Sequence, residues 1–205
     1  MAARPRVGLT QRRDLITERG EWRDALDVRL ARIIWDIGFT PVPLATGIDD
    51  AQSYLEALEL EAFLLSGGGE VGSPLERASL EDAILARSAR DSLPVFGICR
   101  GMQVIITACG GQLSPVEGHV ATRHLVFGAL SGEREVNSFH GLGIPRENLP
   151  SAISCLALAP DGTVEAIRHD RLPWTAIMWH PEREAQAVTA DLDIIEHALL
   201  REAKS

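Results

Sequence analysis

Apolar residues in the first hundred positions fall into two alternating patterns. Short, nearly continuous apolar runs predict strands that are covered on both faces of a sheet. The segments between these runs carry apolar residues three and four positions apart, which predicts amphipathic helices. The predicted strands cover residues 7–10, 39–44, 62–65 and 93–98, and the predicted helices cover residues 22–37, 50–60 and 75–90.

The downstream half has a different pattern, in which short extended pieces are broken by glycine, proline and aspartate. These pieces predict added antiparallel strands at residues 122–127, 153–158, 164–169 and 174–178. A last helix is predicted over residues 184–203, where apolar positions again recur at near-helical spacing. We expect this helix to pack back on the sheet.

The order of these elements predicts an α/β fold with a mostly parallel central sheet, right-handed crossovers and a few added antiparallel strands. A chain of this length is most simply one domain, residues 1–205, with one core. Ligands of such sheets bind beyond the carboxyl ends of the strands. Functional residues are therefore expected directly after each predicted strand.

The charge balance argues against two classes of partner. The chain carries 29 acidic and 20 basic side chains, for a formal net charge of −9, and has no extended basic stripe. Binding to nucleic acid or to an anionic membrane surface is therefore not expected, although local arginines can still meet a small anionic substrate. The chain lacks an apolar stretch near the roughly 18 residues of a membrane span, and its start lacks the apolar core of a signal peptide, so we expect a cytoplasmic protein.

The three cysteines have no paired spacing. Cys99, Cys109 and Cys155 form no Cys-x-x-Cys motif, and an odd number of cysteines in a reducing compartment argues against a disulfide framework. The same spacing argues against a structural zinc site. Cys109 and Cys155 lie in apolar surroundings, where a small buried hydrophobic residue is the simplest interpretation.

Cys99 differs because of the residues around it. It lies in Gly97-Ile98-Cys99-Arg100-Gly101, between a predicted strand and a helical pattern. Glycines two positions to either side of a nucleophile permit the sharp strand-to-helix turn that pushes the nucleophile outward. The positive end of the following helix would also favour the thiolate form of the cysteine.

A base for this cysteine is predicted far downstream, in His180-Pro181-Glu182. Proline disfavours helical geometry at the residue before it and keeps His180 extended. If the extended geometry continues, side chains two positions apart project to the same side, so Glu182 would reach the imidazole and orient it. Taken alone, His180 could equally be a hydrogen-bonded histidine at the end of a strand.

Ser66-Gly67-Gly68-Gly69 follows another predicted strand and so lies at the same sheet edge as Cys99. Glycine amides in such a loop can approach a developing oxyanion closely. The alternative for a glycine triplet is a tight turn or a phosphate cradle. The following Glu70-Val71-Gly72-Ser73 lacks the Gly-Lys-Ser/Thr of a P-loop, which argues against phosphate binding of that type.

Four motifs follow one another along the chain: Leu65-Ser66-Gly67-Gly68-Gly69, Phe96-Gly97-Ile98-Cys99-Arg100-Gly101-Met102-Gln103, Val136-Asn137-Ser138-Phe139-His140 and Trp179-His180-Pro181-Glu182. In order and spacing they resemble the class I glutamine amidotransferase family. The resemblance covers nearly the whole chain. It is strongest to the stand-alone γ-glutamyl hydrolases of the peptidase C26 type, of which Ala159-Pro160-Asp161-Gly162-Thr163-Val164-Glu165-Ala166 is also typical.

The resemblance implies a three-layer, flavodoxin-like α/β fold and no metal or organic cofactor. It implies Cys99 as nucleophile, His180 as base and acid, Glu182 as the residue that orients His180, and the backbone amides of Gly68 and Arg100 as the oxyanion hole. Gln103 matches the position that contacts the glutamyl moiety, and the segment 138–139 matches the one that holds its α-carboxylate and ammonium. The implied substrate-binding residues are Gly69, Gln103, Asn137, Ser138, Phe139 and His140.

Near the amino end, Gly8-Leu9-Thr10-Gln11-Arg12-Arg13 and Glu21-Trp22-Arg23-Asp24-Ala25-Leu26-Asp27 are similar to a small bacterial subgroup of γ-glutamyl hydrolases from pathways that build unusual nitrogen or phosphoramidate groups. Side chains after the first strand would then contact an anionic leaving group, as arginine suits phosphate and carboxylate. The residues are Gln11, Arg12, Arg13 and Arg23. The alternative is a solvated charged face in which Arg23 pairs with Asp27.

Two other features leave alternatives open. The usual Gly-Gly-Gly-Asp-Val-Asp-Pro stretch of the hydrolases appears here as Gly67-Gly68-Gly69-Glu70-Val71-Gly72-Ser73, so the leaving-group pocket is expected to differ. The histidines His119, His124 and His140 are either substrate contacts or structural residues.

The predicted function is therefore hydrolysis of a γ-glutamyl amide through a glutamyl thioester, which releases glutamate and an amine. One alternative is a glutaminase subunit that delivers ammonia to a separate synthase, and another is a non-catalytic binding protein on the same scaffold. The expected partner is a small γ-glutamyl substrate, with a synthase only under the first alternative. The identity of the amine and the choice between a monomer and a homo-oligomer stay open at this level.

Overall fold

The apolar runs of the amino-terminal half form neighbouring strands of one sheet in the computed structural model, which describes residues 3–130 and 132–200. The strands are β1 Arg6–Leu9, β2 Arg12–Ile16, β3 Glu21–Ala25, β4 Thr40–Pro43, β5 Ala62–Leu65, β6 Val95–Ile98, β7 Ser114–Pro115, β8 Val120–Gly128, β9 Gly132–Phe139, β10 Leu142–Gly143, β11 Ile153–Leu158, β12 Val164–His169 and β13 Trp174–Ile177. The α-helices are α1 Val28–Asp36, α2 Ala51–Ala57, α3 Leu75–Asp91, α4 Arg100–Ala108 and α5 Thr189–Leu199, and two short 3-10 helices cover Arg146–Asn148 and Pro181–Arg183.

The main sheet has nine strands in the order β4-β1-β5-β6-β13-β12-β11-β8-β9. The first five strands of this order pair in parallel, and the pairs from β13–β12 to β8–β9 are antiparallel. The prediction of an α/β fold with a largely parallel sheet and added antiparallel strands is confirmed. The carboxyl ends of β1, β5, β6 and β13 lie at one edge, which is where the candidate chemistry was expected.

Strand β13 corrects the prediction that residues 174–178 belong to an antiparallel strand. It pairs in parallel with β6, with Ile177 opposite Ile98, and only its other neighbour β12 is antiparallel. A strand between two neighbours of opposite direction cannot be oriented from its own apolar pattern, because both directions bury the same side chains. The consequence for the site is direct, since the chain after Ile177 emerges beside the chain after Ile98.

The predicted helix over residues 22–37 is wrong in its first part. Residues Glu21–Ala25 form β3, which pairs with β2 in an antiparallel hairpin, and the helix α1 begins only at Val28. Its amino end is capped by the Asp27 side chain, which accepts a hydrogen bond from the Arg29 amide. The predicted start of the helix is too early because residues at helical spacing continue from α1 back through Leu26 to Trp22, which lies in the hairpin.

Two further differences concern the downstream half. Helix α5 begins at Thr189 rather than at residue 184, and the predicted end at residue 203 lies outside the described residues. Strand β9 is absent from the predicted strands because its first residues are polar and mostly exposed, and only Val136, Asn137 and Ser138 are buried. No helix in the described ranges is long and apolar enough to cross a membrane.

The closest backbone approach around Cys99 occurs where α4 crosses the end of β5. A Cβ atom added at Gly101 would lie 2.2 Å from the carbonyl oxygen of Leu65, and one added at Gly97 would lie 2.7 Å from the carbonyl carbon of Gly101. Real Cβ atoms do not approach backbone atoms this closely. Glycine at these two positions therefore lets the helix start directly against the sheet.

Replacement of Gly101 by alanine is expected to destabilise the protein by about 1–3 kcal/mol, because α4 must shift away from β5 to admit the methyl group. The free energy of unfolding from urea denaturation, followed by circular dichroism, measures the effect. Gly47→Ala is the matched control, since its added Cβ meets only a side-chain nitrogen of Arg13 at 3.8 Å. Equal stability of the two variants would contradict the packing argument.

Candidate active site

Cys99 occupies the turn between β6 and α4 in a strained backbone conformation. Its φ is 51° and its ψ is −102°, a combination that costs a non-glycine residue about 1–3 kcal/mol. The Cys99 amide donates a hydrogen bond to the carbonyl oxygen of Ile177 at 2.8 Å, and its carbonyl oxygen accepts from the Gln103 amide at 3.1 Å. The strained cysteine is thus held from β13 on one side and from α4 on the other.

A buried ionic network holds the glycine loop beside this turn. The Arg77 guanidinium donates to the carbonyl oxygens of Ser66 and Gly68, each at 2.7 Å, and to Glu81 at 2.9 Å. The other carboxylate oxygen of Glu81 accepts from Arg100 at 2.8 Å. All three charged side chains are at most 2% exposed. The network therefore joins the glycine loop to α3 and to the first residue of α4.

His180 and Glu182 form the second half of the site. The Nδ1 atom of His180 lies 2.6 Å from Oε1 of Glu182, and both residues are buried. The backbone at His180 is extended, as predicted, but Glu182 reaches the imidazole from the 3-10 helix Pro181–Arg183 rather than from an extended tripeptide. An acceptor at Nδ1 leaves Nε2 as the nitrogen that can take a proton from a thiol.

Asn137 braces His180 through its backbone. Its Oδ1 accepts from the His180 amide at 2.9 Å, and its Nδ2 donates to the His180 carbonyl oxygen at 2.8 Å. Ser138 is fully buried and donates to the carbonyl oxygen of His119 at 2.6 Å. The side chains of Asn137 and Ser138, predicted to contact substrate, are thus both engaged by protein groups.

Two pockets meet at His180 and Gly68. The first, which we call the nucleophile pocket, has a volume of about 380 Å³ and is lined by residues that include Gly68, Gly69, Cys99, Gln103, Phe139 and His180. The second, which we call the arginine pocket, has a volume of about 260 Å³ and is lined by residues that include Arg12, Asp27, Gly68, His180, Glu182 and Arg183. Cys99 and His180 therefore face one cavity, and His180 also borders the other.

The glycine loop fits tightly between these groups. A Cβ atom at Gly67 would lie 2.6 Å from Cε1 of His180 and 3.6 Å from Cβ of Cys99, so a side chain there would displace the imidazole. Gln103 is buried beside the nucleophile pocket and donates from Nε2 to the carbonyl oxygen of Leu142 at 2.9 Å. Its side-chain oxygen stays available to accept a hydrogen bond from a ligand. The His140 ring borders this pocket but lies among His119, His124 and Glu165.

The N-terminal residues separate into two groups. Arg12 lines the arginine pocket, where its Cδ lies 3.2 Å from the position that a Cβ atom added at Gly68 would take. Its guanidinium pairs with the Asp14 carboxylate at 2.7 Å. Arg23 and Gln11 line neither pocket. Arg23 pairs with Glu21 at 2.5 Å on the exposed hairpin, instead of with Asp27, and Gln11 donates to the carbonyl oxygen of Leu44.

Three residues of the site were missed by sequence reasoning. Arg183 borders both pockets, and its guanidinium carbon lies 4.4 Å from the centre of the Phe139 ring. Its position directly after His-Pro-Glu was a usable signal. Arg77 and Glu81 had no such signal, because an i,i+4 ion pair on a predicted helix usually marks a solvated face.

Burial controls the protonation of Cys99. Removal from water raises the pKa of the Cys99 thiol to about 11, although a hydrogen bond from the Arg100 amide and the charge of Arg183 act in the opposite direction. The expected preference for thiolate at the start of α4 is therefore outweighed by burial. Cys99 is a thiol at neutral pH in this state, so its deprotonation requires a base at the time of reaction.

The rate of Cys99 alkylation by iodoacetamide is expected to rise about tenfold per pH unit between pH 7 and pH 9.5, because only the thiolate reacts and its fraction grows up to the pKa. Peptide mass spectrometry after timed quenching separates Cys99 from Cys109 and Cys155. Circular dichroism at each pH confirms that the fold is retained. A rate that levels off below pH 8 would contradict the effect of burial.

Comparisons with known proteins agree with this geometry. The model of the family described as glutamine amidotransferase class-I matches residues 32–199. A γ-glutamyl-CDP-amidate hydrolase from Campylobacter jejuni is 35% identical over 188 residues, which are 87% of this chain and 90% of that protein. An anthranilate synthase from Azospirillum brasilense is 34% identical over 140 residues, 64% of this chain but only 19% of that protein.

The fold has solved counterparts. A crystal structure of a glutamine amidotransferase from Thermotoga maritima superposes with a TM-score of 0.67 at 13% identity, covering 97% of this chain and 85% of that one. At this identity the likeness shows the fold alone. The match of the family model to most of the sequence goes further: the chain belongs to the class I glutamine amidotransferase family and is an amidohydrolase of that type.

Proposed function

We propose that the protein hydrolyses a γ-glutamyl amide whose leaving group is anionic, by means of Cys99, His180 and Glu182. The observation that carries the proposal is the meeting of Cys99 and the His180–Glu182 pair at one cavity, with a second cavity lined by arginines on the other side of His180. The first cavity suits the glutamyl group, and the second suits the group that leaves.

The proposed reaction begins with proton transfer from the Cys99 thiol to Nε2 of His180. The sulfur attacks the δ-carbonyl carbon of the glutamyl group, and a tetrahedral oxyanion forms. The carbon–nitrogen bond then breaks as His180 donates its proton to the leaving nitrogen. Water attacks the resulting thioester with His180 again as base, which releases glutamate and restores the thiol. Glu182 holds the imidazole through Nδ1 and stabilises the imidazolium.

The oxyanion is proposed to bind the backbone amides of Gly68 and Arg100. Arg100 is the first residue of α4 and directly follows Cys99, so its amide lies beside the reacting sulfur. Gly68 has a φ of 87° and borders both pockets. The Arg77 guanidinium holds the Gly68 carbonyl oxygen at 2.7 Å, which fixes the peptide plane of the loop. Each such donor is worth about 3–4 kcal/mol in comparable sites.

The nucleophile pocket offers groups that can bind the α-ammonium and α-carboxylate groups of a glutamyl substrate. The free oxygen of Gln103 can accept a hydrogen bond from the substrate ammonium, and Arg183, beside Phe139, can meet the α-carboxylate. Gly69 lines the same wall. We assign to Asn137 a positioning role, because both ends of its amide are engaged by the backbone of His180.

The arginine pocket supports an anionic leaving group. Of the acidic residues that line it, Asp27 is bound by Arg29 at 2.6 Å and Glu182 is bound by His180. Within residues 3–130 and 132–200, the one ion pair of Arg12 is its exposed pair with Asp14, an interaction worth about 0–1 kcal/mol that a phosphate group can replace. The Campylobacter jejuni relative is named for a CDP-amidate, a phosphorus-bearing nitrogen compound. A γ-glutamyl phosphoramidate is the substrate class we propose for this chain.

The purified protein alone is expected to release glutamate from γ-glutamyl amides, and Cys99→Ala is expected to reduce turnover by a factor of about 10³ or more. The assay compares glutamine with a γ-glutamyl phosphoramidate, and intact-protein mass spectrometry seeks the glutamyl thioester. Cys155→Ala controls for the loss of a thiol elsewhere. Turnover of glutamine that appears only after a synthase partner is added would favour the alternative of a glutaminase subunit. The absence of turnover and of a thioester adduct with every substrate would overturn the proposal that the protein is an enzyme.

Arg12→Met is expected to lower kcat/KM for the phosphoramidate substrate about 10- to 100-fold, because it removes one charge-assisted contact of roughly 1.5–3 kcal/mol. Hydrolysis of glutamine by the same variant should change less than about threefold, since ammonia carries no anionic group. Arg23→Met is the matched control on the neighbouring strand. An equal loss for both substrates would show that Arg12 supports the fold and not the leaving group.

A further inference from the structure

We propose that His119, His124, His140 and Glu165 bind one zinc ion without participation of Cys99, contrary to the absence of metal that the family resemblance implies. One ligand atom from each of these residues lies within 4.8 Å of all the others. His119 directly precedes β8, His124 lies on β8, His140 directly follows β9, and Glu165 lies on β12. Strands β8, β9 and β12, all in the antiparallel part of the sheet, thus bring together four metal-ligating side chains that are scattered along the sequence.

The ring nitrogens that face outward fix the tautomer of each histidine. Nε2 of His119 lies 3.0 Å from Oδ2 of Asp161, and Nδ1 of His140 lies 3.1 Å from the carbonyl oxygen of Leu142. Nδ1 of His124 lies 3.1 Å from the carbonyl oxygen of Leu125. Because these partners only accept hydrogen bonds, the outward nitrogens carry hydrogens, and each ring in its neutral form has its lone pair on the inward nitrogen.

The inward atoms are all electron-pair donors and lie close together. Oε1 of Glu165 is 3.3 Å from Nδ1 of His119, 3.3 Å from Nε2 of His140 and 3.7 Å from Nε2 of His124. The inward nitrogens of His119 and His140 are 3.2 Å apart. Within the described residues, both Glu165 oxygens and Nε2 of His124 are buried without a hydrogen-bond partner. Such a cluster is costly unless a positive charge lies among its members.

A metal ion satisfies this cluster better than a proton does. A proton on Nδ1 of His119 or Nε2 of His140 would satisfy one contact with Glu165, at 3.3 Å, and would leave Nε2 of His124 without a partner. In a tetrahedral zinc site with bonds of about 2.0–2.1 Å, neighbouring ligand atoms are roughly 3.3–3.4 Å apart. The separations among His119, His140 and Glu165 already match this value. His124, the most exposed of the four, completes the tetrahedron by moving inward.

The choice of zinc follows from the ligands and their surroundings. Three imidazoles and one carboxylate are borderline ligands in a closed tetrahedral set, which suits Zn²⁺ rather than the oxygen-only preferences of Mg²⁺ or Ca²⁺. Asp161 supplies the carboxylate behind a ligating histidine that is common around zinc. Two carboxylates and Zn²⁺ also sum to zero net charge, so the buried site is neutral.

The position of the site indicates a structural role. The carbonyl oxygen of Leu142 accepts hydrogen bonds from both His140 and Gln103, at 3.1 Å and 2.9 Å. A metal that fixes the His140 ring therefore also fixes the loop wall of the nucleophile pocket. None of the four ligands has a step in the proposed reaction, but His140 also borders the nucleophile pocket, so the zinc site is tested by metal binding and not by activity.

The decisive measurement uses full-length Cys99→Ala protein, in which Cys99 cannot supply a competing zinc ligand. After dialysis against zinc and removal of the excess, elemental analysis is expected to find about one zinc per chain. Replacement by Co²⁺ is expected to give the visible absorption between about 500 and 650 nm that marks tetrahedral coordination. A folded protein that binds zinc with a Kd weaker than about 10 µM would overturn the proposal.

Variants locate the metal. In the same background, Glu165→Gln and His140→Gln are expected to lose the zinc and the cobalt absorption, and Asp161→Asn to weaken zinc binding about 10- to 100-fold. His197→Gln removes an exposed histidine outside the cluster and should bind like the parent. Zinc retained equally by all variants would overturn the assignment. A chelator should lower the Tm of the parent and leave that of Glu165→Gln unchanged, which gives a second readout if either ligand variant folds poorly.

Discussion

The contact of helix α4 with the end of β5 is the constraint on which the active edge depends. Gly101 lies directly against the Leu65 carbonyl oxygen, and this approach compels the abrupt turn at Cys99. The turn stores strain in a residue with a φ of 51°, and the packed glycines on both sides keep that strain from relaxing. The placement of Cys99 therefore depends on packing. The cysteine lines the nucleophile pocket only while helix α4 stays close to β5.

The buried charges near this turn extend the same constraint to the glycine loop. Arg77, Glu81 and Arg100 lie in the interior, where an unpaired charge would cost several kcal/mol. Their mutual pairing and the loop carbonyl groups that Arg77 holds satisfy them together. The network is specific because a loop in another position would leave Arg77 without the carbonyl oxygens of Ser66 and Gly68, with Glu81 as its remaining acceptor. The proposed oxyanion donors, Gly68 and Arg100, thus lie in segments that are held in place by buried charges.

His180 links the two cavities through the topology of the sheet. Because β13 runs parallel to β6, the chain after it brings the imidazole to the same edge as Cys99. The β2–β3 hairpin supplies Arg12 to the arginine pocket, and His180 lines both this pocket and the nucleophile pocket. Burial raises the pKa of the Cys99 thiol to about 11, so in the proposed mechanism proton transfer to a base accompanies attack.

Local patterns determined the strands β1, β5 and β6, the helices α2 and α3 and the elbow at Cys99, because runs of buried apolar residues and flanking glycines act over a few residues. The motif around His180 likewise specified its contact with Glu182. Only the tertiary structure decided the direction of β13, the hairpin before α1, the buried pairing of Arg77 and the convergence of His119, His124, His140 and Glu165. These features depend on which strands become neighbours and on how much water burial removes, and both are properties of contacts between residues that are distant in sequence.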